Sequence, residues 1–196
     1  MNLPTNNGTG GRGAGDERIA LHIVGNGAAA DERLPRNGVD RAANGNGVSA
    51  IAIAGTLKHH MNVQHNLCSA LEGLADKLPA DVRNDDCLAL ARSVYPIVHR
   101  SHVFEEKTLF PFLKARCAGE ADLGETLDRL HGEHWEDEAF AEEVHHELVA
   151  FAADRSAVNV EKLSYMLRGF FVGLRRHLAF ERDHLLPMVE ALEDGR

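Results

Sequence analysis

From about Ser49 almost to the C-terminus, apolar side chains recur at steps of three and four, the period of an α-helix with one buried face. Three breaks interrupt the period: "KLPAD" at Pro79, "RCAGEAD" around Gly119 and "ADRSAVN" before Val160. Three breaks separate four helices. The first carries Ile53, Leu57, His60, Val63, Leu67, Leu71, Leu74 and Leu78, and the second Tyr95, Val98, His102, Glu106, Leu109 and Leu113. The third carries Leu123, Leu127, Leu130, His134, Ala141, Val144 and Leu148; the fourth Leu163, Met166, Phe170, Leu174, His177, Glu181, Leu185 and Met188. Short connections favour antiparallel neighbours, so the expected class is all-α, an up-down-up-down antiparallel four-helix bundle over residues 50–193. Pro96, Pro111 and Pro187 fall inside the helical pattern and are expected to bend or loosen it.

Before Ser49 the pattern is absent. Residues 1–49 hold ten of the 18 glycines in runs such as "GTGGRGAG", and their five basic and five acidic residues cancel. This composition reads as a disordered Gly-rich tail in which "RIALHIVG" is a brief docking or strand-like segment. The net charge of -9 therefore belongs to the bundle. An acidic chain without a block of Lys and Arg is not built for nucleic acid or an anionic membrane surface. No apolar run is long enough to span a bilayer and no secretory signal is apparent, so a cytoplasmic location is expected. The odd set of Cys68, Cys87 and Cys117 contains no CxxC pair and reads as reduced and mostly buried.

Charge and composition leave one feature of the pattern unexplained. Histidine occurs 12 times, and all but His22 lie after residue 58. In every helix a His, or a His with a Glu four residues on, occupies a position of the apolar stripe. Counted along the helices at about 1.5 Å per residue, these positions fall at matching heights, roughly 27 to 31 Å from one end of the bundle and about 15 Å from the other. The two halves also repeat: His102 and Glu106 return as His177 and Glu181, and "LFPFL" returns as "LLPMV".

A buried layer of carboxylates and imidazoles is costly unless a cation occupies it. His60, His102, Glu106, His134, His177 and Glu181 offer four imidazoles and two carboxylates, a donor set that suits iron or manganese, with zinc less favoured. A Glu from each of two helices can bridge a pair of ions, so the reading favours a dinuclear site with Glu106 and Glu181 as bridges. His59 competes with His60 for the place on the first helix. His99, His131 and Glu138 stand one helical step away, where groups that orient ligands are found. Glu105 is expected to point aside, His145, His146 and His184 to be solvated, Tyr95 and Trp135 to pack in the core beside the layer, and the acidic run "HWEDEAFAEEVHHE" to form a solvated face.

The pieces His60, "HVFEEKTLFP" with His102 and Glu106, the "EH" of Glu133 and His134, and "HLAFE" with His177 and Glu181 resemble the hemerythrin-like HHE cation-binding domain family from about Ser49 to Glu193. The resemblance implies two non-haem iron ions bridged by carboxylates and exchanging with dioxygen, nitric oxide, peroxide or small anions such as azide. Leu130 stands where oxygen carriers have a first His on the third helix, and Glu181 where they have Asp. The pattern is thus closer to the branch that includes iron-sulfur repair proteins and iron or oxygen sensors. Three functions follow as expectations: a protein that binds or senses dioxygen or nitric oxide, or handles iron under stress; a redox enzyme acting on peroxide or nitric oxide; and a regulatory bundle with structural metal. No catalytic residue, protein partner or electron donor is assigned by the sequence.

Overall fold

The computed structural model describes residues 49–193; the expected Gly-rich tail lies outside these residues. All the described regular structure is helical. Helix α1 spans Ala50–Lys77 and α2 spans Asn84–Phe104; a π-helical turn at Glu105–Leu109 joins α2 to α3 at Phe110–Arg116. Helix α4 spans Leu123–Ala153, and α5 at Val160–Phe180 passes through a second π turn, Glu181–Leu185, into α6 at Leu186–Glu193. The four rods expected from the periodicity are therefore α1, α2–α3, α4 and α5–α6.

Local chemistry sets the rod ends. The Ser49 hydroxyl accepts the Ala52 N–H at 3.2 Å and the Asn159 side chain accepts the Lys162 N–H at 3.0 Å, each supplying one of the backbone partners that a helix start lacks. Asp154 does the same for Ser156 in the last connection. Helix α2 continues through Pro96, whereas the two later prolines are each preceded by a widened turn. The Phe110 N–H reaches back to the Glu105 carbonyl and the Leu186 N–H to the Glu181 carbonyl, five residues in each case. Proline lacks an N–H and crowds the carbonyl four residues before it, so a π turn just ahead of Pro111 and of Pro187 absorbs the misfit without ending the rod.

Cross-rod contacts run antiparallel. Between α2–α3 and α4, Asn84 binds the Ala152 carbonyl, His145 the Ala91 carbonyl, His131 meets Glu106, and Lys114 meets Asp128. Between α1 and α5–α6, Lys58 pairs with Glu190, Glu72 with Arg175 and Asp76 with Arg168. Each rod packs on the next in chain order and the fourth closes against the first, which is the arrangement of a four-helix bundle.

Two apolar clusters fill the interior. One, at the end with the connections 78–83 and 154–159, contains Leu67, Leu71, Leu90, Val94, Val144, Leu148, Phe151, Leu163 and Phe170; the other contains Ile53, Leu57, Leu109, Leu113, Leu127, Leu130, Leu185 and Val189. Among the described residues, the buried polar side chains are Gln64, Ser101, His102, Glu105, His134, His177 and Glu181; all but His177, which Leu174 and Leu178 of the first cluster flank, lie between the clusters in sequence on their rods. The polar layer expected from helical arithmetic is therefore present. Its membership differs from the expected one.

Candidate metal centre

Three rods deliver the centre. Helix α2 and its π turn bring His102 and Glu105, α4 brings His134, and α5 with its π turn brings His177 and Glu181; each is at most 4% exposed. Ligand-type atoms of His102, His134 and His177 lie within 4.8 Å of one another, as do those of Glu105, His177 and Glu181. The His177 Nε2 stands 3.1 Å from Glu181 Oε1 and 3.9 Å from Glu105 Oε2, and His134 Nε2 stands 3.0 Å from the same Glu105 oxygen. The rings of His102 and His134 lie parallel with centroids 3.9 Å apart.

Carboxylates on the outer side fix how these rings face. Glu138 Oε1 lies 3.0 Å from His102 Nδ1 and Glu106 Oε1 lies 3.0 Å from His134 Nδ1. A carboxylate only accepts, so each Nδ1 carries a proton and each Nε2 faces inward; on His134 that nitrogen meets Glu105, which favours a second proton there while no cation is bound. Glu133 and Asp137 stand 3.6 and 3.9 Å from His177 Nδ1. Glu138 and Glu106 are each shared with an exposed imidazole, His99 and His131 respectively. Imidazole held by carboxylate on its outer nitrogen is the usual support of a metal-binding histidine.

A cation fits this geometry on an internal test. His102 Nε2, Glu105 Oε2, His134 Nε2 and Glu181 Oε2 are buried and have no hydrogen-bond partner. His134 Nε2 and Glu105 Oε2 are close enough to bond, yet are not aligned to share a proton. Four such atoms would each forfeit on the order of 1 to 3 kcal/mol if left bare, more for the charged ones. Without a cation the layer draws in protons. Burial would depress His177 and His134, but the facing Glu105 with Glu181 holds His177 well above its usual range, and Glu105 with Glu106 raises His134. Burial and the charge of Glu105 push Glu181 up to about 8, while burial and its histidine neighbours push His102 down to about 4. Burial would also raise Glu105, yet His134 and His177 hold its carboxyl well below the usual range. A metal ion would take the place of these protons.

The family whose description reads Hemerythrin HHE cation binding domain matches residues 52–189. The chain belongs to this family. The matched span contains every residue of the centre, and the family's cation-binding chemistry agrees with the donor set that the three rods bring together. No curated protein and no solved structure matches the chain.

Four of the six residues singled out in the hemerythrin pattern, His102, His134, His177 and Glu181, meet in the buried layer. The other two are placed differently. Glu106 is half-buried and meets His134 on its outer nitrogen and His131, while Glu105, expected to point aside, is fully buried among the ligand atoms. Periodicity is degenerate here: Val98 reaches Leu109 by helical steps through His102 and Glu106 or through Ser101 and Glu105. The prolines break the tie. Pairing Pro111 with Pro187 and Leu109 with Leu185 pairs Glu105, not Glu106, with Glu181. His60 joins none of the ligand groups found among the described residues; it is half-buried and stacked on Phe104 with centroids 5.2 Å apart. His59 is exposed.

Other expectations are corrected by the same geometry. Trp135 is 74% exposed rather than packed beside the layer, because one residue after the inward-facing His134 the helix has turned by roughly 100°. Tyr95 is half-buried and stacks on His99. The acidic run on α4 is not simply a solvated face, since Glu133, Asp137 and Glu138 turn toward the imidazoles. His145 is half-buried on the Ala91 carbonyl, whereas His146 and His184 are exposed as expected. All three cysteines are free, with Cys68 and Cys87 buried. Among the described residues no helix is long and apolar enough to cross a membrane.

Proposed function

We propose that this hemerythrin domain holds non-haem iron in the buried layer and serves to bind or sense a small ligand, dioxygen or nitric oxide, or to handle iron under oxidative or nitrosative stress. The observation that carries the reading is the convergence of three imidazole nitrogens and two carboxylates, buried and short of partners, between two apolar clusters. Histidine and carboxylate donors without thiolate suit ferrous or ferric iron better than metals that prefer sulfur, and the thiols of Cys68 and Cys87 lie in the apolar cluster away from these donors. Iron bound by such a set supplies redox activity and a coordination position for an exogenous ligand.

The protein residues supply orientation and dryness. Glu138 and Glu106 hold the His102 and His134 rings with Nε2 inward, and Glu133 and Asp137 flank His177. Phe110 stacks against His134, with centroids 5.6 Å apart, and closes the layer toward the second apolar cluster.

Anaerobic purification followed by metal analysis and ultraviolet-visible spectra on adding dioxygen, nitric oxide, azide or peroxide tests the proposal. Bound iron with new charge-transfer bands on ligand addition is the expected result. Sustained turnover of peroxide or nitric oxide would move the reading to a redox enzyme. A protein that binds zinc alone, with no spectral response, would overturn it.

A further inference from the structure

The two halves of the bundle can be superposed in register by their buried positions. Ile53, Leu57, Gln64, Leu67, Leu71 and Leu74 of α1 stand in the same order and spacing as Leu130, His134, Ala141, Val144, Leu148 and Phe151 of α4, and all twelve are buried. Glu105, Leu109 and Pro111 stand as Glu181, Leu185 and Pro187 do, with a π turn at the same place in each. This register maps the second half's His134, His177 and Glu181 onto Leu57, Ser101 and Glu105. Only the carboxylate recurs.

Where the second half places an imidazole, the first half places a neutral hydrogen-bonded chain. The Gln64 amide donates to Ser101 Oγ at 2.9 Å, and that hydroxyl donates to Glu105 Oε1 at 2.9 Å. Gln64 and Ser101 are at most 1% exposed, and the Gln64 amide oxygen is left without a hydrogen-bond partner. One oxygen of Glu105 is thereby engaged, and the other is turned to His134 and His177. Leu57 is fully buried in an apolar cluster. His102, which the register sets against Leu178, adds its nitrogen to the second half's group instead.

We infer that the layer is built for a single metal ion held by Glu105, His102, His134, His177 and Glu181, and that Leu57, Ser101 and Gln64 occupy the place of a second. This rests on the metal-binding reading above and replaces the dinuclear arrangement expected from sequence. Charge agrees. Glu105 and Glu181, the two fully buried carboxylates, neutralise one divalent ion, whereas the remaining carboxylates, Glu106, Glu133, Asp137 and Glu138, stand on the outer nitrogens of the rings rather than inside the layer. The outer cluster of Glu106, His131 and His134 offers no alternative second site: His134 would need to give up its remaining ring proton to bind on both nitrogens.

Anaerobic titration of the metal-stripped full chain with ferrous iron, and separately with zinc, decides the count. One ion per chain is expected, and after oxidation of the iron form the electron paramagnetic resonance signal of an isolated ferric ion. Two ions per chain, with the silent spectrum of a coupled pair, would overturn the inference while leaving the metal-binding reading intact. No saturable binding of either metal would overturn that reading itself and the inference with it. The double variant Gln64→His, Ser101→His is expected to raise the count above one. If it folds, judged by far-ultraviolet circular dichroism, and still binds one ion, these two residues are not what limits the count.

Discussion

The first half of this bundle and the second share a scaffold and differ in chemistry. Both halves place apolar side chains at matching positions, both widen one turn before a proline, and both bury a glutamate at the start of that turn. Yet the second half supplies His134 and His177 where the first supplies Leu57 and Ser101. The comparison teaches that packing register and ligand identity are separable: hydrophobic burial fixes the height and facing of a position, and whether that position holds imidazole, hydroxyl or hydrocarbon is then decided by whether a cation is there to be bound.

The largest expected difference between the halves is in metal binding. His177→Ala should abolish saturable binding of ferrous iron, whereas Ser101→Ala, its counterpart, should retain the ion and lose only stability, about 1 to 3 kcal/mol from the disrupted hydrogen-bonded chain. Calorimetric metal titration beside chemical denaturation separates the two effects. Equal loss of binding in both variants would erase the asymmetry.

Packing, by contrast, should be symmetric. Ile53→Ala and Leu130→Ala remove matched, fully buried side chains from the same apolar cluster, and each should destabilise the fold by about 2 to 5 kcal/mol in urea unfolding. If one position costs less than 1 kcal/mol, the two are not equivalent in the core.

A smaller effect is expected at the outer carboxylates. Glu138→Gln should weaken metal affinity by about 10- to 100-fold by loosening the His102 ring, while Met61→Ala at the matching position of α1 should leave affinity unchanged. His60→Ala belongs with Met61→Ala. A loss of metal in the His60 variant would restore that residue to the centre.

The smallest responses should come from thiols and surface. Burial pushes Cys68 up to about 12 and Cys87 up to about 11, so both remain protonated and slow toward a thiol reagent at pH 8, until denaturant exposes them. Trp135→Ala should change stability by less than about 0.5 kcal/mol and leave metal content as it is. Rapid labelling of all three cysteines in the native protein would contradict the buried placement.

Much of this architecture was legible in the sequence because burial leaves a periodic trace. Four rods, their antiparallel order and a polar layer at one height follow from steps of three and four and the rise of a helix. What periodicity could not separate was Glu105 from Glu106, since both fall within half a turn of the same face and both lie in the π turn that runs from Glu105 to the next apolar residue, Leu109. Aligning the prolines would have chosen Glu105. Ser101 and Gln64 left no such trace, because a buried serine or glutamine resembles a surface one until its partner on another rod is known. His60 illustrates the converse: it lies on an apolar stripe, yet its ring rests on Phe104 at the margin.

The polar layer divides the interior into two apolar clusters that share few side chains. Each cluster is contained within its own end of the bundle, so in the metal-free protein the ends are tied together by the rods, by Met61, which packs against both clusters, and by the polar contacts of the layer. An ion held from three rods would weld them. On the proposed metal binding, cooperativity of unfolding becomes a property the cation would confer: the loaded domain should melt and exchange its amide hydrogens as one unit, and the stripped domain should open end by end.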